Sequence, residues 1–378
     1  MADYLTTADV DVAGLRVLVR SDLNVPLDDG VVADDFRIRS ALPTLEDLVE
    51  RGAAVKVCSH LGRPKGVDPA LSLEAVVQRM DVLSELDVRF ETAGDITVLE
   101  NTRFDPGETA NSPETAERMA IGFDLFVQDA FGSVHRAHAS TVGVAERLRS
   151  VAGPLLDAEL SALGRFLGEP DRPYTVVLGG AKVSDKLAVI ENLLPKIDRM
   201  LIGGGMCFTF MVANGLGVGR SLVQEDLVDG VRTLLGGPDG HKIILPVDIA
   251  TGEDFSEDAM RHVVAASEIP NQAIGLDIGP ETGAGFWELI ESSQSVFWNG
   301  PMGVFEWEEF RNGTSQVARA MAACDGFTAV GGGDSAAALR LLGLENSVTH
   351  LSTGGGAGLE LLEGRVLPGV AVLERWVP

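Results

Sequence analysis

Two lysines, Lys182 and Lys186, stand four residues apart behind a Gly-Gly pair in the stretch VLGGAKVSDK. They are two of six lysines in a chain with 30 basic and 56 acidic residues and a formal net charge of −26. The stretch reads as a strand, a glycine turn and the start of a helix over SDKLAVIENLL, which puts both lysines on one helical face. Two ammonium groups about 6 Å apart repel by roughly 3 kcal/mol at an effective dielectric of about 20. A polyphosphate between them would turn that repulsion into attraction. The helix N-terminus, uncomfortable for cations alone, also favours a bound anion.

A second set of cations lies in the first half. Arg37 follows Asp34-Asp35, His60 and Arg63 lie in SHLGRPK, Arg103 in LENTRF, and Arg136 in QDAFGSVHRAH. Each group follows an apolar run. Arginine binds carboxylate and phosphate in a two-pronged fashion, so a convergent set suits a small molecule bearing both. Asp22 and Asn24 can hydrogen-bond a hydroxyl of the same molecule. His135 and His138 lack metal-ligand spacing and read as structural or anion-contacting. No Ser-His-Asp or Cys-His order points to a nucleophile.

Three glycine triplets, Gly203 to Gly205, Gly331 to Gly333 and Gly354 to Gly356, follow apolar runs in the second half, as does Gly179-Gly180. Glycine lets backbone N–H groups approach phosphates or a flat ring. Asp334 and Ser335 follow the second triplet; the carboxylate can cap a helix or hold Mg²⁺ together with phosphate oxygens. Asn299-Gly300-Pro301 and Glu306 form a further cluster, with Glu306 placed to accept from a ribose. No GxxxxGK[ST] is present, and no GxGxxG follows the first strand, which argues against a P-loop kinase and a nicotinamide-binding domain.

These clusters need elements to hold them. RVLVRSDLNVP, AAVKVCSHLG, DITVLEN and FDLFVQDAFG read as strands, as do YTVVLGG, DRMLIGGGM, KIILPVD, SVFWNGP, GFTAVGGGD and HLSTGGG. Strands alternating with helix-length segments indicate an α/β fold with mostly parallel sheets. In such sheets ligands bind beyond the carboxyl ends of the strands, where the polar clusters fall. At 378 residues, two domains are expected. Gly153 to Pro173 reads as a helix and linker between residues 1–153 and 173–364.

Apolar residues make up 45% of the chain, yet no run approaches the roughly 18 needed to span a membrane. MADYLTTADV lacks the marks of a secretory signal, and Cys58, Cys207 and Cys324 read as small buried residues of a reducing cytoplasm. The acidic excess argues against nucleic acid or an anionic membrane as partner.

From end to end the sequence resembles the phosphoglycerate kinase family. VRSDLNVP, SHLGRPKG, LENTRF, DAFGSVHRAHAS, VLGGAKVSDK, LIGGGMCFTF, GLDIGPET, WNGPMGVFE, AVGGGDSAAA and STGGGAGLELLEG carry the likeness. The resemblance implies two Rossmann-like domains joined by a hinge helix, residues 154–172, with the tail 365–378 returning to the first. It implies interconversion of 1,3-bisphosphoglycerate plus ADP with 3-phosphoglycerate plus ATP, using Mg²⁺, by a cytoplasmic monomer. It places Asp22, Leu23, Asn24, Arg37, His60, Leu61, Gly62, Arg63, Arg103 and Arg136 on 3-phosphoglycerate. Lys182, Lys186, Gly275, Asn299, Glu306, Gly332, Gly333, Asp334 and Ser335 fall around the nucleotide, with Asp334 on the metal. Arg37, Lys182, Gly355 and Gly356 become the catalytic set.

Some positions depart from the family pattern. Ser21 stands where an apolar residue is common, Gly358 replaces a small polar residue, and Leu83 to Val98 is shorter than usual by a loop-helix unit. A nucleotide sensor without chemistry predicts a gap among the transfer residues, and none is evident. A dehydrogenase is disfavoured by the missing fingerprint.

Overall fold

The computed structural model describes residues 3–376. The chain divides into two compact units, Met1–Ser161 with Arg365–Pro378, and Ala162–Gly364. The boundary falls inside the helix Pro154–Leu167.

In the first unit, six parallel strands form one sheet. In chain order they are β1 (Arg16–Arg20), β2 (Ala54–Cys58), β3 (Val88–Phe90), β4 (Ile96–Val98), β5 (Leu125–Gln128) and β6 (Ser150–Ala152), arranged β3-β4-β2-β1-β5-β6. β1 is buried over Val17–Arg20, as expected of a central strand covered on both faces. Val17, Val19, Val55, Val57, Val98 and Val127 supply much of the core, against Ile38, Leu42 and Leu45 of the helix Phe36–Glu50. Gly369 N–H donates to the Val134 carbonyl at 2.8 Å and Trp376 Nε1 to the Ala145 carbonyl at 3.0 Å, so the tail is tied to this unit.

The second unit contains β7 (Tyr174–Leu178), β8 (Arg199–Ile202), β9 (Ile243–Ile244), β10 (Asp248–Gly252), β11 (His262–Ala265), β12 (Ile274–Ile278), β13 (Ser295–Asn299), β14 (Phe327–Gly331) and β15 (His350–Leu351). The main sheet is parallel, ordered β9-β8-β7-β13-β14-β15. β7, β8 and β14 end at a glycine pair or triplet. Phe166 packs against the rings of Tyr174, Phe297 and Phe327, with centroids 5.3, 5.7 and 5.7 Å away.

The remaining strands form an antiparallel sheet, β11-β10-β12, which the strand pattern did not reveal. KIILPVD is not one strand. Pro246 has no N–H to give, and the chain leaves β9 before it and enters β10 after it. β6 and β3 are also additions, each only three residues long. No helix separates β3 from β4, so the stretch short of a loop-helix unit is bridged by residues 91–95 alone.

Asp277, in β12, is a fully buried carboxyl that ties this sheet to a helix. It accepts from Gly313 N–H at 2.7 Å, in the first turn of Asn312–Ala323, and from Ile278 N–H at 2.9 Å. A Cβ on Gly303 or Gly313 would lie 2.3 or 2.5 Å from Oδ1. Burial outweighs these two donors and raises its pKa from 3.8 to about 8. Below its ordinary pKa both folded and unfolded chains hold the proton. Above it the unfolded chain releases the proton first, so stability declines until the folded pKa is passed. Thermal midpoints measured between about pH 5 and 8 are expected to fall more steeply with pH in the native chain than in Asp277→Asn. Equal slopes would contradict a protonated Asp277.

Candidate active site

In the first unit, hydrogen bonds stitch together the loops after β1, β2 and β4. Arg37 Nη1 donates to Asp22 Oδ1 at 2.9 Å and to the Asn24 carbonyl at 3.1 Å. Gly62 N–H donates to Asn24 Oδ1 at 2.8 Å, and Arg103 donates to the Gly62 carbonyl. Gly62 has φ +62°, a conformation that favours glycine. Arg136 Nε donates to His135 Nε2 at 2.9 Å. Leu23 and Leu61 turn their side chains into the core and leave only backbone for a ligand.

The cations of this region feel one another. Burial first, then Arg20, Arg103, Arg37 and Arg136, hold His60 well below its usual pKa. Burial, then Arg136 and Arg20, lower that of Arg103. Arg63 is exposed, and the Arg103 Nε is buried without a partner. The result is a group of positive charge in which Arg37 pairs with Asp22. Such a site suits a small polyanion.

The second unit presents a pocket of about 270 Å³. Phe208, Leu222, Leu276, Met302 and Val304 make its walls apolar, and Glu306 and Asp334 are among its polar groups. Gly275 lies in a wall because a Cβ there would be 2.0 Å from the Phe208 ring. An apolar slot with few polar groups suits a flat heterocycle with a polar tail.

The glycines at the strand ends have two tasks. Gly180, Gly204 and Gly205 line the pocket, and Gly204 also lets backbones meet: its Cβ would lie 2.5 Å from Gly180 N. Gly332, with φ +90°, leads into the helix Gly333–Leu341, leaving Gly333 and Asp334 exposed at its start. Ser335 points inward, its hydroxyl accepting from Gly300 N–H at 2.7 Å. Gly355 precedes the short helix Gly356–Leu362, and neither Gly355 nor Gly356 lines the pocket.

The two lysines do not share a helical face. Lys182 has extended backbone (φ −125°, ψ 132°), the intervening residues form one 3-10 turn, and the α-helix begins at Leu187. The expected i,i+4 pair is therefore replaced by a split pair. Lys182 is exposed, while Lys186 is 9% exposed and donates from Nζ to Asn299 Oδ1. Burial pulls Lys186 down to about 8, against Asp185 and Asp334, which raise it.

No group of three or more His, Cys, Asp or Glu is placed to hold a metal among the described residues. Asp334 is an exposed carboxylate at the pocket, at the start of a helix. That donor set fits a hard divalent cation whose other oxygens come from a nucleotide and water.

A family model described as phosphoglycerate kinase matches residues 7–365. The chain belongs to the phosphoglycerate kinase family. A phosphoglycerate kinase of Salinispora tropica is 54% identical, covering 96% of this chain and 97% of that protein. One from Rubrobacter xylanophilus is 51% identical, with 98% of each covered. The solved phosphoglycerate kinase structure from Coxiella burnetii superposes with a TM-score of 0.90 at 38% identity, covering 99% of each chain.

Seen as a phosphoglycerate kinase, the chain holds site features that sequence reasoning missed. Phe208, Leu222, Met302 and Val304 read as core because an apolar pocket wall has the pattern of an interior. Arg20 closes a strand and reads as one more surface base, yet it is about 1% exposed. The usable signal was an arginine beside SDLNVP in a chain short of cations. Lysine-selective NMR, with six lysines to resolve, is expected to show one side chain titrating near pH 8 that vanishes in Lys186→Arg. All lysines titrating above about 10 would contradict the buried environment.

Proposed function

We propose that this phosphoglycerate kinase transfers a phosphoryl group between 1,3-bisphosphoglycerate and ADP, giving 3-phosphoglycerate and ATP. The first unit holds the glycerate. Arg63, Arg103, Arg136 and His60 take its phosphate, and Asp22, Asn24 and Arg37 take the end that reacts. Backbone at Leu23, Leu61 and Gly62 completes that site. The second unit holds the nucleotide, with the base beside Gly275, the ribose at Glu306 and the phosphates towards Lys182, Lys186, Asn299 and Gly332 to Ser335. The observation that carries this reading is the full-length likeness to proteins named phosphoglycerate kinase. An arginine-rich anion site and an apolar pocket beside a buried lysine support it.

An acyl phosphate is already activated, so the protein has no proton to abstract from the attacking ADP oxygen. What remains is alignment and charge stabilisation of the phosphoryl group in flight. Arg37 is partly exposed and Lys182 is exposed, so both can turn towards that group. Lys186, fixed by Asn299, stays with the phosphates of the bound nucleotide. The backbone N–H groups at Gly355 and Gly356 add positive potential. Asp334 would hold Mg²⁺ together with the nucleotide, and the ion would offset phosphate charge. Donor and acceptor belong to different units, so turnover requires the units to bring them into line and exclude water. The working form is a cytoplasmic monomer.

A coupled assay of ATP-dependent 3-phosphoglycerate phosphorylation is expected to show turnover, whereas a sensor would bind ATP without it. Arg37→Ala is expected to lower kcat by about a hundredfold or more, with nucleotide KM little changed. Retention of most turnover at saturating substrate would remove Arg37 from the transition state.

A further inference from the structure

Arg20 ends β1 and is about 1% exposed. A guanidinium has five N–H donors and no acceptor. All five are committed inside the first unit. Nε donates to Ser140 Oγ at 3.0 Å; Nη1 donates to the Ser21 carbonyl and to Ser59 Oγ at 3.4 Å. Nη2 donates to Ser133 Oγ at 3.2 Å and contacts His60 Nδ1 at 2.9 Å. No donor remains for a ligand, so Arg20 cannot act on substrate directly. Its charge is answered through a relay. The Ser140 hydroxyl donates to Glu108 Oε1 at 2.6 Å and the Ser140 N–H to Oε2 at 2.9 Å, and Glu108 is fully buried.

The contact with His60 has one possible polarity. Nη2 can only donate, so Nδ1 must be the unprotonated ring nitrogen. A neutral ring then carries its proton on Nε2, which has no hydrogen-bond partner among the described residues. A second proton, on Nδ1, would break the contact. It would also place a new cation in a ring that is 8% exposed, facing Arg20 from β1, Arg37 from the helix Phe36–Glu50, and Arg103 and Arg136 from their loops. Glu108 itself lies 3.7 Å from His138 Nδ1.

We propose that Arg20 is a positioning residue: it locks His60 as the neutral Nε2–H tautomer and points that N–H at the anionic ligand. His60 then recognises an oxyanion as a hydrogen-bond donor and not as a cation. The ligand's identity rests on the placement of 3-phosphoglycerate given above; the tautomer does not. Burial and the surrounding guanidiniums, which depress the ring's pKa, are consistent with this state.

The test is a long-range ¹H–¹⁵N spectrum of the histidine-labelled full chain, with six histidines to resolve and His60 assigned by His60→Gln. From about pH 5.5 to 8, His60 is expected to keep Nε2 protonated and Nδ1 bare, without titrating. A proton on Nδ1, or an imidazolium, in that range overturns the proposal. In Arg20→Lys the ring is expected to mix tautomers, with KM for 3-phosphoglycerate raised about tenfold and kcat changed by less than about threefold. An unchanged His60 signal in that variant removes the positioning role. Should Arg20→Lys not fold, the native spectrum still decides the tautomer. Saturating 3-phosphoglycerate is expected to shift the Nε2–H signal. No shift in an active enzyme would overturn the ligand placement while leaving the tautomer in place.

Discussion

A cation that is to meet a phosphate must first be kept from the protein's own carboxylates. With 56 acidic side chains against 30 basic ones, that is the constraint on which both sites depend. Away from them, arginines are taken up in ion pairs, such as Arg16 with Asp124, Arg51 with Asp47 and Arg147 with Glu117. At the sites the partners are mostly neutral. Lys186 is held by the Asn299 amide and Arg103 by the Gly62 carbonyl. Neutral partners fix the geometry and leave the charge uncompensated, so the ligand supplies the counter-charge. Arg37, paired with Asp22, is the exception, and it is the arginine assigned to move with the reaction.

The same constraint explains why buried polar groups cluster behind the sites. An uncompensated guanidinium in an interior is costly unless every donor is met. Arg20 meets that requirement with five acceptors drawn from three loops, and Glu108 answers the charge at one remove. On the nucleotide side, glycine backbones approach closely around Gly180 and Gly204, and Asp277 ties the antiparallel sheet to a helix N-terminus.

Much of this was legible in the sequence, for identifiable reasons. Strands buried on both faces read as apolar runs, and their ends carry the polar clusters. The α/β class and the parallel order within each main sheet follow from that pattern. The antiparallel sheet escaped because β11 is largely exposed and β12 carries no continuous apolar run. β3 and β6 are too short to show a period. Side-chain roles were harder to read. The helical spacing of Lys182 and Lys186 assumed one regular helix, where a 3-10 turn divides them into an exposed and a buried cation. Ser335 reads as a ligand contact, and its hydroxyl also accepts from Gly300 N–H, a contact with no signature in the local sequence. Pocket walls and buried acids such as Asp277 and Glu108 have no local signature, because their partners come from distant segments.

The central claim is that site cations are held by neutral groups so that their charge stays available. Calorimetric titration of ADP into Asn299→Asp tests it most directly. The substitution gives Lys186 a carboxylate partner of nearly the same shape. The account predicts affinity weaker by about tenfold or more, since the added ion pair competes with the phosphates. Unchanged or tighter binding would contradict it.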